Sequence, residues 1–283
     1  MKLKDIYIRD PFVLVDGGKY YLYGSTDPQT WKGKADSFKV YVSDDLIDFE
    51  EKIIFENNDD FWANEQFWAP EVHKYKGKYY LFAAFSVDGT KRECQILSSD
   101  SPVGPFKPYG GKLFPNDSSN LDATFFVDDD GKRYTVYCRE WTDIKDGEMV
   151  LCELDENLKV IGKDKVLFKA SDAPWTIDME GPGCYVTDGP YIRKNKQGKY
   201  VMLWSSHGKD GYAMGMAIAD RIDGDWVQIE KPLISANGGH GMIFEDKGKL
   251  FVTYHMPNNP HMLERAHFEE IEEVDGLYRL KRQ

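Results

Sequence analysis

The sequence is poor in cysteine, in long apolar runs and in helical periodicity, and each shortage excludes a class of protein. Its four cysteines lie far apart, without CxxC or Cys/His metal spacing: Cys94, Cys138, Cys152 and Cys184. We therefore expect free, mostly buried thiols and no cysteine-held metal. No apolar run reaches the roughly 20 residues of a membrane-spanning helix, and no segment repeats its apolar residues at the helical period. Membrane proteins and helical bundles are thereby excluded.

Positive charge is also in short supply. Lysine and arginine together number 36 against 48 aspartates and glutamates, for a formal net charge of −12. Such an excess repels a phosphate backbone, so we expect no nucleic-acid partner, and no membrane partner either. The first residues, MKLKDIYIRDP, lack the apolar core of a signal peptide, which predicts a cytoplasmic protein, or a secreted one if a leader has been trimmed.

What the chain has in abundance is aromatic residues, at 14%, and a repeated hairpin. The stretch RDPFVLVDGGKYYLY at 9–23 recurs in five similar copies, spaced by roughly 50 to 70 residues. Each copy turns at a Gly-Lys pair, and the pairs are Gly18-Lys19, Gly77-Lys78, Gly131-Lys132, Gly198-Lys199 and Gly248-Lys249. Glycine at the apex of two β-rich runs indicates a hairpin, because glycine takes positive φ without steric cost. Self-similarity at this spacing predicts a propeller or a related repeat array.

Each repeat continues with two further strands, which complete a four-stranded blade. These outer strands are predicted within 40–49, 95–106, 150–160 and 213–226, and in the fifth repeat at 265–268 and 277–280. We therefore predict an all-β fold, a five-bladed β-propeller with four antiparallel strands per blade, as a single domain over residues 1–283. Residues 4–8 are predicted to close the ring as an added strand of the last blade. The segments 51–67, 107–120 and 170–185 are predicted to be inter-blade loops.

Three aspartates are predicted to stand at equivalent starts of first strands: Asp10, Asp122 and Asp188. First strands are innermost in a propeller, so these carboxylates should meet at one end of the central channel. Carboxylates crowded in a desolvated site repel, which holds one of them protonated and another ionised, as hydrolysis of a glycosidic bond requires. Each aspartate alone is better explained as a turn residue, but their recurrence at the same place in the repeat favours catalysis.

The ordered set of strand starts resembles glycoside hydrolase family 43, and the resemblance extends from Asp10 to Arg265. The segments that carry it are RDPF at 9–12, FWAPEV at 67–72, LDATF at 121–125, DGPY at 188–191 and GHGM at 239–242. The family implies a five-bladed propeller and inverting hydrolysis of arabinosides, xylosides and some galactosides. It further implies that Asp10 is the general base, that Asp122 tunes the pKa of the acid, and that Asp188 is the general acid.

Asp188 departs from the family, which usually has glutamate at this place. Aspartate is one methylene shorter, so its proton would lie roughly 1 Å further from the leaving oxygen, a displacement that can cost about a hundredfold in rate. Glu180, in a second Glu-Gly-Pro string, and Glu140 therefore remain alternative proton donors.

Further residues are predicted to bind substrate at the same face. They are Phe67, Trp68, Glu140, Trp141, His255 and Arg265. Aromatic faces stack on sugar C–H surfaces, although core packing explains Trp68 as well. Arg265 matches an arginine that some family members direct at the substrate, or else it pairs with a neighbouring acid such as Glu264.

His240, flanked by glycines, is the one candidate metal residue. The matching family histidine contacts a central ion, often calcium, largely through waters, so a structural calcium ion near His240 is one expectation. A hydrogen-bonded core histidine is the other. No cofactor is expected to be required for the reaction.

Together these features predict an inverting exo-glycoside hydrolase that removes a terminal pentose from plant-type oligosaccharides. As the sugar removed, an α-L-arabinofuranosyl group is slightly favoured over a β-D-xylosyl group. Two alternatives remain: a galactosidase of the same family, and a carbohydrate-binding propeller with weak or no hydrolytic activity. A WD-type scaffold is disfavoured, because its Trp-Asp and Gly-His signatures do not occur in register.

Overall fold

The structure is a computed structural model that describes residues 1–58, 60–115 and 117–281. Its strands form five sheets, each with four antiparallel strands in chain order, and the prediction of five four-stranded blades is confirmed. Each first strand contacts the first strands of both neighbouring blades around the ring, including the pair formed by the first and the last blade. The molecule is a five-bladed β-propeller.

The blades have the following strands. Blade 1 has β1 (Arg9–Asp16), β2 (Lys19–Ser25), β3 (Ser37–Ser43) and β4 (Glu50–Glu56); blade 2 has β5 (Glu65–Tyr75), β6 (Lys78–Ser86), β7 (Glu93–Ser99) and β8 (Lys107–Lys112). Blade 3 has β9 (Asn120–Val127), β10 (Arg133–Arg139), β11 (Glu148–Leu154) and β12 (Val160–Lys169). Blade 4 has β13 (Asp188–Lys194), β14 (Tyr200–Gly208), β15 (Gly211–Ala219) and β16 (Val227–Gln228); blade 5 has β17 (Gly239–Asp246), β18 (Lys249–Met256), β19 (Arg265–Val274) and β20 (Leu277–Leu280).

Helix is almost absent from the described residues. It is confined to one turn, α1 (Trp141–Ile144), and two 3-10 turns at Leu3–Asp5 and Ala170–Asp172. No helix in this part of the chain has the length and apolar character needed to cross a bilayer. The four cysteines are free thiols, three of them buried and Cys184 half-buried, as expected.

The fourth strands differ from the prediction. β4, β8 and β12 begin at Glu50, Lys107 and Val160, so they start where the predicted outer strands end, and β4 and β8 lie in segments predicted as loops. These are edge strands with mostly exposed side chains. An edge strand buries little on either face, so its sequence lacks the alternating pattern that reveals a half-buried strand.

The predicted closure of the ring is wrong. Blade 5 supplies its own four strands, and part of the segment 4–8 forms a 3-10 turn instead of an added strand. The segment nevertheless packs on blade 5: the Ile8 N–H donates to the Glu264 carbonyl (3.3 Å), and the buried Arg9 guanidinium pairs with Glu264 at 2.6 Å. One backbone hydrogen bond and a buried ion pair therefore join this segment to blade 5.

Three of the blade interfaces share a tyrosine–aspartate hydrogen bond. The hydroxyl on the second strand of one blade donates to a carboxylate at the end of the first strand of the preceding blade. The pairs are Tyr20–Asp246, Tyr79–Asp16 and Tyr200–Asp128, each at 2.5 Å. Hydrogen bonds to charged acceptors are stronger than neutral ones, so this bond fixes neighbouring blades, including the first against the last.

Every first strand carries the same β-bulge near its start. Two residues of the first strand lie opposite one residue of the second in all five blades. In each bulge one residue has positive φ, and these residues are Asp10, Ala69, Asp122, Gly189 and His240. Asp and His adopt this left-handed conformation more readily than most residues. A bulge re-aims side chains, and here it occurs where the five first strands begin.

The bulged backbone N–H groups are held by side chains of the preceding blade. Four such bonds are formed: Asp10 N–H to His255 Nδ1 (3.1 Å), Ala69 N–H to Ser25 Oγ (2.8 Å), Gly189 N–H to Asp122 Oδ2 (2.9 Å) and His240 N–H to Ser205 Oγ (2.8 Å). Buried backbone donors need such partners. Four of the five bulges are thus tied to the preceding blade, and these bonds link the strand starts of blades 3, 4, 5, 1 and 2 in that order.

Candidate active site

The ring of bulges surrounds a cavity of about 500 Å³. Asp10, Asp122, Asp188 and His240 line it together, each from a different blade. The predicted convergence of the three aspartates is therefore present in the structure. A larger cleft of about 930 Å³ lies between the outer strands of blades 2 and 3, and none of these four side chains lines it.

Three neighbouring groups stabilise the charged form of Asp10. Ser25 Oγ donates to its Oδ2 at 2.6 Å, and His240 Nδ1 lies 3.1 Å from its Oδ1. Burial favours the neutral acid, but the charges of His240 and Arg9 and the Ser25 hydroxyl outweigh burial and lower the pKa of Asp10 below its usual range. Asp10 is therefore ionised at neutral pH.

His255 supports the backbone of Asp10 as a neutral imidazole. Burial lowers the pKa of His255 to about 3, with Arg9 adding to the effect. Asn258 Oδ1 accepts from Arg9 Nη2 and lies 3.0 Å from His255 Nε2. Since Arg9 can only donate, this atom is an acceptor and His255 Nε2 carries the proton. His255 Nδ1 is then a lone-pair acceptor, as the Asp10 N–H requires.

Asp122 and Asp188 form the second group of carboxylates. Asp122 Oδ2 accepts the backbone N–H of Gly189 at 2.9 Å, which ties it to the residue next to Asp188. Burial raises the pKa of both side chains, and the Asp188 carboxylate raises that of Asp122 further. Asp122 and Asp188 together therefore keep a proton at pH values at which Asp10 is already ionised.

Asp188 does not occupy the bulge position that the sequence predicts for it. It pairs with Ser205 as Arg9 pairs with Ser25, so it is equivalent to Arg9, and the residue equivalent to Asp10 is Gly189. The alignment on the Gly-Lys turns misplaced it by one residue: the loops between the first two strands are equally long in blades 3 and 4, and Asp188 lies one residue further from its turn than Asp122 does. The bulge directs both consecutive positions towards the axis, so Asp188 still lines the cavity.

His240 bridges two of the carboxylates. Its Nδ1 lies 3.1 Å from Asp10 Oδ1 and 3.8 Å from Asp122 Oδ2. Burial opposes a charged imidazole, but Asp10 and Asp122 outweigh it and raise the pKa of His240. Its ring packs on the Cα of Gly189, where a Cβ would lie 2.6 Å from His240 Cδ2. His240 therefore acts as an internal counter-cation between the carboxylates.

The residues around His240 do not fit a directly ligated calcium ion. Calcium takes six to eight oxygen ligands, whereas His240 Nδ1 already faces Asp10 and Asp122. Across residues 1–58, 60–115 and 117–281, no three His, Cys, Asp or Glu side chains are arranged to hold a metal ion. His240 Nδ1 is thus engaged with two carboxylates, and no step is derived through an ion; a calcium ion held largely through waters stays a prediction.

One wall of the cavity consists of two adjacent indoles with a guanidinium group at each end. The Arg92 guanidinium lies 3.9 Å over the Trp68 ring, Trp31 packs edge-on against Trp68 at 5.4 Å, and the Arg9 guanidinium lies 5.1 Å from the Trp31 ring. Glu140 Oε1 accepts from Arg92 Nη1 at 2.5 Å. Cation–π contacts fix the orientation of aromatic rings. Trp31 nevertheless remains 54% exposed, so most of its surface is available to a ligand.

The other predicted residues divide between the cavity and the interior. Trp68, Glu140, Trp141 and Glu180 line the cavity. Phe67 does not: it is 1% exposed and packs in an aromatic core. His255 is fully buried behind Asp10, and Arg265 donates to the carbonyls of Lys4 and Glu264 outside the cavity.

Several residues that line the cavity are not predicted from the sequence. They are Arg9, Thr30, Trp31, Gln66, Arg92, His207, Tyr212, Asn258 and Asn259. Most of them lie in loops or on second and third strands, where the repeated hairpin does not show which side chains face the cavity. Arg9 had a signal, since the RDPF segment places it beside Asp10. Tyr212 had none, because it reaches the axis from the third strand of blade 4.

The chain is similar to glycoside hydrolases in sequence and in structure. The pattern of the glycosyl hydrolases family 43 matches residues 5–280. The solved structure of an endo-arabinase from Bacteroides thetaiotaomicron VPI-5482 is similar with a TM-score of 0.90 and 38% identity, covering 98% of both chains. A xylosidase/arabinosidase of Thermoclostridium stercorarium is 25% identical over 290 residues, which cover 89% of this chain and 59% of that protein. Xylosidase/arabinosidase 43A of Humicola insolens is 32% identical over 152 residues, which cover 49% of this chain and 46% of that protein. The chain thus spans about half the length of these curated relatives.

Proposed function

The chain belongs to the glycosyl hydrolases family 43, and from this premise we propose that it removes terminal pentoses from oligosaccharides with inversion. The sugar is α-L-arabinofuranosyl or β-D-xylosyl. One observation carries the proposal: carboxylates from three blades line one cavity, and their pKa values shift in opposite directions. An ionised base beside a proton-retaining acid is the requirement for glycoside hydrolysis.

Asp10 is the general base of the proposed reaction. Its carboxylate takes a proton from a water molecule as the water oxygen attacks the anomeric carbon. The hydroxyl of Ser25 and the imidazole of His240 hold the carboxylate in place. Asp10 lies on blade 1 and Asp188 on blade 4; this placement suits the separation of roughly 6.5–9.5 Å that leaves room for water in inverting enzymes.

Asp188 is the general acid, and Asp122 sustains its protonation. The proton passes from Asp188 to the glycosidic oxygen as the bond to the anomeric carbon breaks, and the bonding electron pair stays on that oxygen. A carboxylate on Asp122 would repel a carboxylate on Asp188, which keeps a proton on the pair. Glu140 is less suited to donate, because Arg92 occupies its Oε1. Glu180 is exposed at the rim.

The walls of the cavity suit a neutral sugar. Trp31 and Trp68 offer indole surfaces for the C–H groups of a pentose. The cavity also contains the carboxylates of Glu140 and Glu180, and its arginines Arg9 and Arg92 are already paired with acids. An anionic sugar would therefore meet repulsion without a free cation among the described lining residues.

Hydrolysis of aryl glycosides tests the proposal. Wild-type protein and Asp10→Ala are compared on nitrophenyl α-L-arabinofuranoside, β-D-xyloside and β-D-galactoside, with sugar binding measured by calorimetry. We expect the wild type to cleave one of the pentosides, and Asp10→Ala to lose about 10²–10⁴-fold in kcat while it retains sugar binding. A galactoside preference would replace the pentose by galactose. Binding without cleavage of any substrate would establish the alternative, a carbohydrate-binding propeller.

A second candidate, endo action on arabinan, is favoured by the 38% identity to the Bacteroides protein named as an endo-arabinase. The two modes differ in their products. Exo action on debranched arabinan releases arabinose from the first minutes without a fall in viscosity. Endo action lowers viscosity at once and yields oligosaccharides.

A further inference from the structure

Tyr212 connects the two catalytic sides of the cavity. It lies near the start of β15, the third strand of blade 4, and is 4% exposed. Its hydroxyl donates to Asp188 Oδ2 at 2.8 Å. Its ring lies nearly parallel to that of His255, with centroids 5.6 Å apart and planes at 17°. His255 in turn holds the backbone of Asp10.

A missing side chain on blade 5 makes room for Tyr212. In each first strand, one residue pairs with the second strand just before the bulge. In blade 5 this residue is Gly239, and in the other blades it is Arg9, Trp68, Leu121 and Asp188. A Cβ on Gly239 would lie 2.9 Å from Tyr212 Cε1. Tyr212 thus fills the fifth place in a ring that otherwise consists of first-strand residues, and packing leaves its ring one position.

The hydrogen bond determines which oxygen of Asp188 can act. Tyr212 can donate only one proton, and Asp188 Oδ2 receives it. The proton that the acid transfers must then lie on Oδ1. A short aspartate side chain has few rotamers, and a buried donor with a fixed ring selects one of them.

We propose that Tyr212 is the positioning residue of the general acid, holding Asp188 so that Oδ1 presents its proton to the leaving oxygen. This inference rests on the proposed function. Asp188 has a shorter side chain than the glutamate that is usual at this position in the family. Orientation of its carboxyl group by Tyr212 compensates for the lost length. Misplacement of a catalytic group by about 1 Å can cost a hundredfold, so loss of the hydroxyl should slow only those substrates that need the acid.

The test compares two leaving groups in Tyr212→Phe. A dinitrophenyl pentoside departs with little protonation, whereas a pentose disaccharide requires it. We expect kcat to fall by about tenfold or more on the disaccharide and by less than about twofold on the dinitrophenyl glycoside, with KM changed by less than about twofold on both. Equal losses on the two substrates, or no loss on either, would overturn the proposal.

The matched control is Tyr254→Phe. Tyr254 is equally buried, and its hydroxyl also donates to a carboxylate, that of Glu269, away from the cavity. Tyr254→Phe should not lower kcat on the disaccharide or on the dinitrophenyl pentoside. Thermal unfolding of both variants measures the stability lost when a buried hydroxyl is removed.

A double variant separates positioning from a general structural effect. If Tyr212 acts through Asp188, then adding Tyr212→Phe to Asp188→Asn should change the rate on the dinitrophenyl pentoside by less than about twofold. A further fall of tenfold in the double variant would contradict the inference. A wild type that cleaves no pentoside would refute the proposed function itself, whereas parallel losses in an active enzyme refute only the role of Tyr212.

Discussion

At the scale of single residues, opposite pKa shifts divide the carboxylates into an ionised Asp10 and a pair, Asp122 and Asp188, that retains a proton. Asp10 has neighbours that favour its charge: His240, Arg9 and the Ser25 hydroxyl. Asp122 and Asp188 are dominated by burial. Activity that needs an ionised Asp10 is lost as pH falls through its lowered pKa. Activity that needs a protonated acid is lost as pH rises through the raised pKa of the pair. The rate should therefore be bell-shaped.

Asp122→Asn tests the pair. An amide at this position cannot become negative, so it no longer opposes ionisation of Asp188. The proton then leaves Asp188 at lower pH, and we expect the alkaline limb of kcat/KM to move down by about one unit while the acidic limb, set by Asp10, stays in place. Asp130→Asn, in an exposed turn of the same blade, is the control. An unmoved alkaline limb would remove Asp122 from its role.

Sequence alone predicted the residues that the repeat makes visible. Asp10 and Asp122 recur at the same point of the hairpin, and Asp188 was found despite a register error of one residue. Ser25, Asn258 and Tyr212 could not be predicted. Ser25 and Tyr212 reach the carboxylates from other strands, and Asn258 reaches Arg9 and His255 from a loop. Their contacts depend on packing between blades, and no local pattern in the chain encodes that packing.

At the scale of elements, the β-bulge is the unit that builds the site. It directs two consecutive side chains towards the axis, and its positive-φ residue supplies Asp10, Asp122 and His240. Strain of this kind persists only where the surroundings hold it. Here side chains of the preceding blade hold it. Ser25, Ser205 and His255 each pair with the residue just before the bulge of their own blade, and each accepts a bulged N–H from the next blade.

Gly189→Ala tests the bulge of blade 4. Gly189 has a φ of +52°, and its added Cβ would lie 2.6 Å from His240 Cδ2. Gly131→Ala provides the control, because Gly131 has a φ of +80° with nothing within 4 Å of the added Cβ. Both variants should lose about 1–2 kcal/mol to left-handed backbone, and Gly189→Ala about 1–3 kcal/mol more from the clash.

Urea unfolding measures both stabilities, and kcat is measured on the pentoside that the wild type cleaves. We expect Gly189→Ala to lose activity, because the displaced His240 no longer supports Asp10, whereas Gly131→Ala stays fully active. Equal stability and activity in the two variants would show that the contact between Gly189 and His240 is unimportant.

The hairpins were predictable as elements, and the outer strands were not. First and second strands alternate or run continuously apolar between turn glycines, and that pattern survives in the sequence. β8 and β12 expose most of their side chains. Their sequences therefore lack the apolar pattern that burial imposes on the inner strands. Their boundaries follow from pairing with the third strand, which only the sheet reveals.

At the scale of the whole molecule, the site exists because the ring is closed. Blade 5 must meet blade 1 to bring His240 and His255 to Asp10. The repeat predicted the ring and the number of blades, but the predicted closing strand was wrong because blade 5 is complete in itself. The contact is made instead by Tyr20 with Asp246 and by Arg9 with Glu264.

Glu264→Gln tests this closure. Glu264 is 0% exposed and pairs with Arg9, which is 9% exposed in its side chain. Removing one partner leaves a buried charge uncompensated, which typically costs about 3–5 kcal/mol. Glu270→Gln is the control on the adjoining strand, since its pairs with Lys249 and Lys281 are exposed and should contribute less than about 1 kcal/mol. Comparable urea midpoints for the two variants would contradict closure through this pair.

The stereochemistry of the first product tests the whole arrangement most directly. Proton NMR follows the anomeric signals in the first minutes of cleavage of a nitrophenyl pentoside by the wild type. If Asp10 activates water on one side of the sugar while Asp188 protonates the leaving oxygen on the other, an α-L-arabinofuranoside gives β-arabinofuranose first, and a β-D-xyloside gives α-xylose first. Initial appearance of the same anomer as the substrate would contradict it, because retention requires a carboxylate to attack the sugar directly.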